Sequence, residues 1–113
     1  MSQDCIFCKI VAGQIPSRKA YEDDELLAFH DIHPWAPVHV LIIPKQHLAG
    51  LSDVEPEHEK WLGRMLTLAP RLMKELGVSN GFRSVINTGP DGGQEVYHLH
   101  MHVFGGPRPW AKG

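Results

Sequence analysis

No stretch of this sequence approaches the run of about 18 apolar residues that a membrane-spanning helix needs, so a membrane partner is not expected. The first residues, Met1 to Cys5, show no basic region followed by an apolar run, so no secretory leader is expected and the cytoplasm is the expected location. No basic stripe interrupts a formal net charge of −2, which argues against duplex nucleic acid as a partner. Repeats and low-complexity tracts are also missing. Cysteine is scarce: Cys5 and Cys8 are the only two. In a reducing compartment such a pair favours thiol or metal chemistry over a disulfide.

What remains is ordinary globular material. The chain has 113 residues, the size of one domain with one real core. We read 1–113 as that domain, with 105–113 as an irregular tail. Cys5 to Val11 is a short apolar segment, one or two helical turns, closed by Gly13 and Pro16. Tyr21-Glu22-Asp23-Asp24 reads as a turn between strands, and Leu26 to Ile32 as a strand. Pro34 and Pro37 mark a loop, because proline lacks the donor that a central ladder requires. His39 to Pro44 is a β-branched run and a strand. The long helix opens at Pro56, where a missing N–H costs nothing, with Glu57 and Glu59 at its positive end. Trp61, Leu62, Met65, Leu66, Ala69, Leu72, Met73 and Leu76 recur at helical spacing up to the Gly77 stop. Pro70 should deprive the Leu66 carbonyl of its partner and kink the helix. Phe82 to Asn87 reads as a strand and Thr88 to Gly93 as a loop. Strands close in sequence around one main helix indicate an α+β fold with an antiparallel sheet.

The most informative segment is His98-Leu99-His100-Met101-His102. On a strand, successive side chains point to opposite faces. His98, His100 and His102 then share one face, while Leu99, Met101 and Val103 bury the other. Histidine changes protonation near neutral pH without special help, so an aligned set suits proton or anion handling. One strand spreads its outer histidines by about 13 Å at the backbone. All three could not easily converge on one metal ion with bonds of about 2.0–2.1 Å, whereas one or two of them could.

The segment Gln94 to Phe104 resembles the motif of the histidine triad family, His-φ-His-φ-His-φ-φ with φ apolar. Tyr21 to Ile32, Pro37 to His47 and Asn87 to Gln94 are similar to further segments of its Hint branch, in the same order, so the resemblance spans nearly the whole chain. It implies a five-stranded antiparallel sheet with one long helix, and a homodimer whose two sheets join into ten strands. It implies a hydrolase that takes a purine nucleotide, such as AMP or an AMP–amine conjugate, and cleaves nucleoside 5′-phosphoramidates through a nucleotidyl-histidine.

By position, His100 matches the nucleophile and His98 the residue supporting it. His102 and His39 match residues contacting phosphate oxygens and the bridging atom, where a protonated imidazole would stabilise charge. Asp31 matches the carboxylate that receives the ribose hydroxyls. Ile32 and Phe29 match apolar walls for the base; Ile42 reads better as core. Asn87 matches a side chain near the scissile bond. Gly93, Gln94 and Val96 match a loop whose backbone N–H groups face the phosphate. Glu95 departs from the hydroxyl residue common in the branch, a place where a carboxylate repels an acidic leaving group or attracts a cationic one. His33 departs from a small residue and reads as surface loop. Trp110 resembles a tryptophan that reaches the partner subunit's site.

No cofactor is required by the resemblance. In some relatives the C-x-x-C pair, the histidine after the Pro-Lys segment and the first triad histidine hold a structural zinc. Here those are Cys5, Cys8, His47 and His98. Two other functions stand beside the phosphoramidase: a nucleotide-binding interaction module of low turnover, and hydrolysis or transfer on dinucleoside polyphosphates, from which the Gly92-Gly93 pair before Gln94 points away.

Overall fold

The computed structural model describes residues 4–112. Its elements are α1 (Ile6–Val11), β1 (Lys19–Glu22), β2 (Leu26–His30), β3 (Val38–Pro44), α2 (Glu59–Glu75), β4 (Phe82–Val85) and β5 (Met101–Gly105). The strands form one antiparallel sheet in the order β1-β2-β3-β5-β4. The last strand therefore inserts between β3 and β4.

Alternation along the central strands divides the core in two. Leu26, Ala28, Val40, Ile42, Met101 and Val103 face α2 and bury against Trp61, Met65, Leu68, Ala69, Leu72 and Met73. Leu27, Phe29, Leu41 and Ile43 face the other side and pack with Cys5, Phe7, Cys8 and Ile10 from α1 and its entry. Short α1 covers only part of that face, and the uncovered part carries His39, His102 and Phe104. Ile42 is fully buried core, as its position in an unbroken apolar run indicates.

Several boundaries differ from the sequence reading. Tyr21 and Glu22 belong to β1, and the turn falls on Asp23 and the residues after it. Asp23 makes that turn by accepting the N–H groups of Glu25 and Leu26 on one oxygen. The long helix begins as a 3₁₀ turn at Pro56–His58 and becomes α-helical at Glu59. It continues through Pro70. The Leu66 turn is on the solvent side, where that side chain is 60% exposed, so water can satisfy the carbonyl proline leaves unpaired. Leu66 thus drops out of the buried stripe and Leu68 joins it. The Trp110 ring lies 5.5 Å from that of Phe104, and its Nε1–H donates to the Gly106 carbonyl.

Candidate active site

The three histidines do not share one strand. β5 begins at Met101, so only His102 lies in the ladder. Upstream, the Leu99 N–H donates to the Leu48 carbonyl, outside the sheet. The alternation survives because this lead-in stays extended: Leu99, Met101 and Val103 are buried toward α2, and the histidines turn the other way.

Each ring's tautomer follows from its fixed partners. His98 Nε2–H donates to the Pro44 carbonyl at 2.8 Å, which leaves Nδ1 as a lone pair. His100 Nδ1–H donates to the His98 carbonyl at 2.7 Å, which leaves Nε2 as the lone pair. The Trp35 backbone N–H donates to His39 Nδ1 at 3.0 Å, so the His39 proton must sit on Nε2. That Nε2–H donates to His102 Nδ1 at 2.9 Å, which puts the His102 proton on Nε2. Strand register makes this last bond: Leu41 pairs with His102 and His39 with Phe104, so the two histidines are diagonal neighbours on one face.

His100 and His102 line a cavity of about 420 Å³ together with Asp31, Asn87, Gly93, Glu95 and Val96. The wall thus presents an unprotonated nitrogen on His100 beside an N–H on His102. Burial lowers the His100 pKa and pushes that of His102 down to about 3, helped by His100, His39 and Lys112. Burial also lowers His39, against the pull of Asp31. These rings are neutral at physiological pH. With its Nδ1 accepting from His39, the neutral His102 ring is a hydrogen-bond donor through Nε2–H. His39 is corrected from phosphate contact to support, since it is buried behind His102 and off the cavity wall.

A second cavity of about 590 Å³ adjoins the first. Its walls are largely apolar, with Ile6, Phe7, Ile10, Phe29, Ile32 and Leu41 among them. Phe7, Asp31 and Leu41 line both cavities, so the two meet along these residues. Asp31 Oδ1 accepts the His33 N–H at 2.7 Å, which holds the carboxylate at that junction. His33 itself is exposed on the loop. Phe7 stands edge-on to His100, with ring centroids 5.2 Å apart. The sequence reading missed Phe7, Ile10 and Leu41. Their period marks them only as core, and no local signal says which core residues border a cavity.

The Gly-rich loop needs its glycines for shape. A Cβ on Gly92 would lie 2.2 Å from the Thr88 carbonyl oxygen, and Gly93 holds a φ of +79°. Gly93 N–H donates to Pro90 and Gln94 N–H to Gly89. The expectation that these two amides face a phosphate is therefore corrected: both are used inside the loop. Gln94 is a brace, its buried amide side chain donating to the Ala49 and Val96 carbonyls and accepting from Gly89 N–H.

Behind His98 lies a compact donor cluster. The Sγ atoms of Cys5 and Cys8 and the Nδ1 atoms of His47 and His98 all lie within 4.8 Å of one another. Sulfur-to-nitrogen distances are 3.2 to 3.6 Å, and the two nitrogens are 3.2 Å apart. Tetrahedral zinc, with bonds of about 2.0–2.3 Å, separates its ligands by about 3.3–3.8 Å, so this set fits. His98 Nδ1 is the lone-pair nitrogen, and its Nε2–H on Pro44 is the outer hydrogen bond that metal-ligating histidines use. Asp31, His39 and His102 also converge, but do not fit: Trp35 N–H holds the His39 proton on the nitrogen a metal would need.

A profile of the HIT domain matches residues 12–108. The chain is 50% identical over 104 residues to protein HitA of Neisseria gonorrhoeae, covering 92% of this chain and 97% of that protein. It is 48% identical over 107 residues to the purine nucleoside phosphoramidase of Escherichia coli (strain K12), covering 94% and 90%. The fold superposes on a HIT family hydrolase from Legionella pneumophila with a TM-score of 0.89, at 46% identity and covering 93% and 95%. The chain therefore belongs to the HIT domain family and is a hydrolase of that family.

Proposed function

We propose that this protein hydrolyses purine nucleoside 5′-phosphoramidates of the AMP–amine type. The observation that carries the reading is the junction of the two cavities. An apolar groove suited to a flat base opens, past a carboxylate suited to ribose hydroxyls, into a chamber walled by an unprotonated imidazole nitrogen. The phosphoramidase relative at 48% identity supports it.

In this mechanism His100 Nε2 attacks the α-phosphorus. The nitrogen–phosphorus bond forms as the phosphorus–amine bond breaks, and the electron pair goes to the leaving nitrogen. His102 Nε2–H donates to the phosphate and bridging nitrogen during this change, and solvent at the cavity mouth supplies the amine's proton. Water then attacks the nucleotidyl-histidine, releasing AMP and restoring the neutral ring. A hard displacement is thereby split into two easier ones. His98 holds the nucleophile by its carbonyl, and His39 fixes the donor by its Nε2–H. The donor cluster would hold a structural zinc through Cys5, Cys8, His47 and His98. Bound there, the metal supplies rigidity behind His98 and takes no part in the reaction. A homodimer is the assembly proposed, the two edges of the sheet being β1 and β4.

The test is intact-mass analysis after rapid mixing with an adenosine 5′-phosphoramidate. An adduct of one nucleotidyl group is expected on the wild type and none on His100→Ala, with steady turnover lost in the variant. Equal turnover by both proteins would refute the mechanism. Nucleotide binding without adduct or turnover would instead establish an interaction module, and preferential cleavage of a diadenosine polyphosphate would establish the third function.

A further inference from the structure

Cys5 and Cys8 are the chain's two cysteines, and both stand as thiols. The reaction proposed above uses neither sulfur. Their positions nevertheless couple them to the nucleophile by two routes.

The first route runs through His98. Its Nε2–H is committed to the Pro44 carbonyl, so its Nδ1 must receive a proton from another group. The Cys5 sulfur lies 3.3 Å from that nitrogen, and the Cys8 sulfur lies 3.2 Å from Nδ1 of His47. In the dithiol each S–H therefore has an imidazole acceptor. His98 is wholly buried, and its carbonyl is the group that holds His100 Nδ1–H. The second route runs through α1. Phe7 sits between the two cysteines in sequence, with its ring centroid 6.0 Å from that of His98 and 5.2 Å from that of His100. A shift of the first turn of α1 moves this ring.

The sulfurs are also placed to join. They lie within 4.8 Å of each other. The Cys8 backbone N–H donates to Cys5 Sγ at 3.2 Å, which turns that sulfur toward the residue three further on. A disulfide bond is about 2.0 Å long, so the two atoms close by less than about 3 Å. Cys5 is 8% exposed and Cys8 4%, whereas Met65, Met73 and Met101 are each 1% exposed. His47, beside Cys8, is only half-buried. The cysteines are thus the sulfurs of the described core that a small oxidant reaches first.

We propose that Cys5 and Cys8 are a redox modification site, which a hydroperoxide oxidises to an intramolecular disulfide that turns the active site down. One sulfur attacks the peroxide oxygen and becomes a sulfenic acid, as the oxygen–oxygen bond breaks and water leaves. The second sulfur displaces the sulfenic hydroxyl as water, and the sulfur–sulfur bond forms. Two thiols lose two electrons, and hydrogen peroxide gains them to give two waters. The disulfide has no S–H to donate, so His98 Nδ1 becomes a buried acceptor without its donor. Closure of the bond draws in the first turn of α1 and shifts Phe7. Where zinc is bound, the same step removes two of its four ligands and releases it. A dithiol reductant reverses the change. The inference does not depend on which phosphoramidate is cleaved.

The experiment treats protein purified without chelator with hydrogen peroxide, and removes the excess with catalase. Intact mass should show the loss of two hydrogens, and peptide mapping without reductant should place the bond between Cys5 and Cys8. A zinc-responsive dye should report metal release in step with the bond in chains that carry metal. The kcat for an adenosine 5′-phosphoramidate should fall about 10-fold, as for displaced positioning groups, and return with dithiothreitol. Cys5→Ala and Cys8→Ala, each compared with its own untreated sample, should be nearly unaffected. If either variant fails to fold, the mapped bond and the recovery with dithiothreitol in the wild type carry the test. Oxygen added to other side chains without a disulfide, a bond between chains, or a mapped Cys5–Cys8 bond with kcat unchanged would overturn the proposal. So would equal losses in the wild type and both variants. Absence of turnover in untreated protein would instead overturn the function proposed above. The switch is then read from AMP affinity by calorimetry, which should fall on oxidation because Phe7 walls both cavities; affinity that does not fall would overturn the switch as well.

Discussion

Single hydrogen bonds decide the chemistry of this site. The Trp35 amide places one proton on His39, and that proton selects the tautomer of His102. Replacing His39 by Phe should leave His102 Nδ1 without its donor and free the ring to take the wrong tautomer. We expect kcat to fall by about 10²-fold, within the range for disturbed acid–base groups, while KM changes by less than about threefold. His39→Gln, which can donate from its amide, should recover part of the loss; stopped-flow turnover checks both. The same burial links stability to pH. His102 ordinarily titrates near 6.5 and is held at about 3 here. Its folded pKa is depressed, so between those values the unfolded chain binds the extra proton. The stability it supports is complete above pH 6.5 and is lost as pH falls toward 3. Thermal melts should show Tm falling over that window, with a shallower slope in His102→Gln even though this variant is less stable at pH 7. In the sequence, the alternation of histidines was legible from the residues themselves, while the resemblance alone pointed to Asp31, Asn87 and Gly93, which line the same cavity. The tautomers were not, because the Pro44, His98 and Trp35 groups that set them are main-chain atoms whose positions only the fold supplies.

Among the elements, the Gly-rich loop and α2 show how local shape serves the cavity. Gly92→Ala drives a Cβ against the Thr88 carbonyl, and backbone cannot yield as a flexible side chain does. The loop should move away from the cavity it lines. We predict that Gly92→Ala lowers kcat/KM by about 10-fold or more, as expected for misplacement of positioning groups. Because the loop is at the surface, Tm should drop by less than about 5 °C. At the far edge of the sheet, Arg64 of α2 reaches Asp23 and Glu25 in the β1–β2 turn. The Tyr21 hydroxyl donates to the same Asp23. Asp23→Ala removes the turn's two N–H acceptors as well as this tie, and should cost about 1–2 kcal/mol in a urea melt with activity unchanged. Period alone gave the helix and most of the strands here. It failed at β5, where an extended lead-in without ladder bonds carries the same alternation as a strand, and at Leu66, where Pro70 marks a helix face turned to water.

For the molecule as a whole, order along the chain and proximity in space differ most at the N-terminal end. Cys5 and Cys8 lie near the start of the described structure, yet they sit against His98, 93 and 90 residues further on. If the cluster holds zinc, purified protein should carry about one zinc per chain by elemental analysis, and Cys8→Ser should abolish it. Removing the metal with a chelator should lower Tm by about 5 °C or more, since a ligand present at about 100 times its Kd stabilises by about 2.7 kcal/mol. No metal in wild-type protein purified without chelator would refute the assignment. The overall α+β architecture was legible because hairpin-connected strands and one long amphipathic helix leave few topologies. The insertion of β5 between β3 and β4 was not, since only long-range pairing determines it, and it is this insertion that puts His102 next to His39.

One short helix reaches the nucleophile, both cavities and the donor cluster. Phe7 on α1 meets the nucleophile and walls both cavities, while its neighbour Cys8 belongs to the donor cluster. An inhibitor chemist would find that widening the base groove by trimming Phe7 also unseats the ring that keeps His100 in place. Base selectivity and catalytic rate cannot be tuned separately from this position, so redesign for a bulkier heterocycle should start at Ile32, whose side chain is 86% exposed on the groove's outer rim.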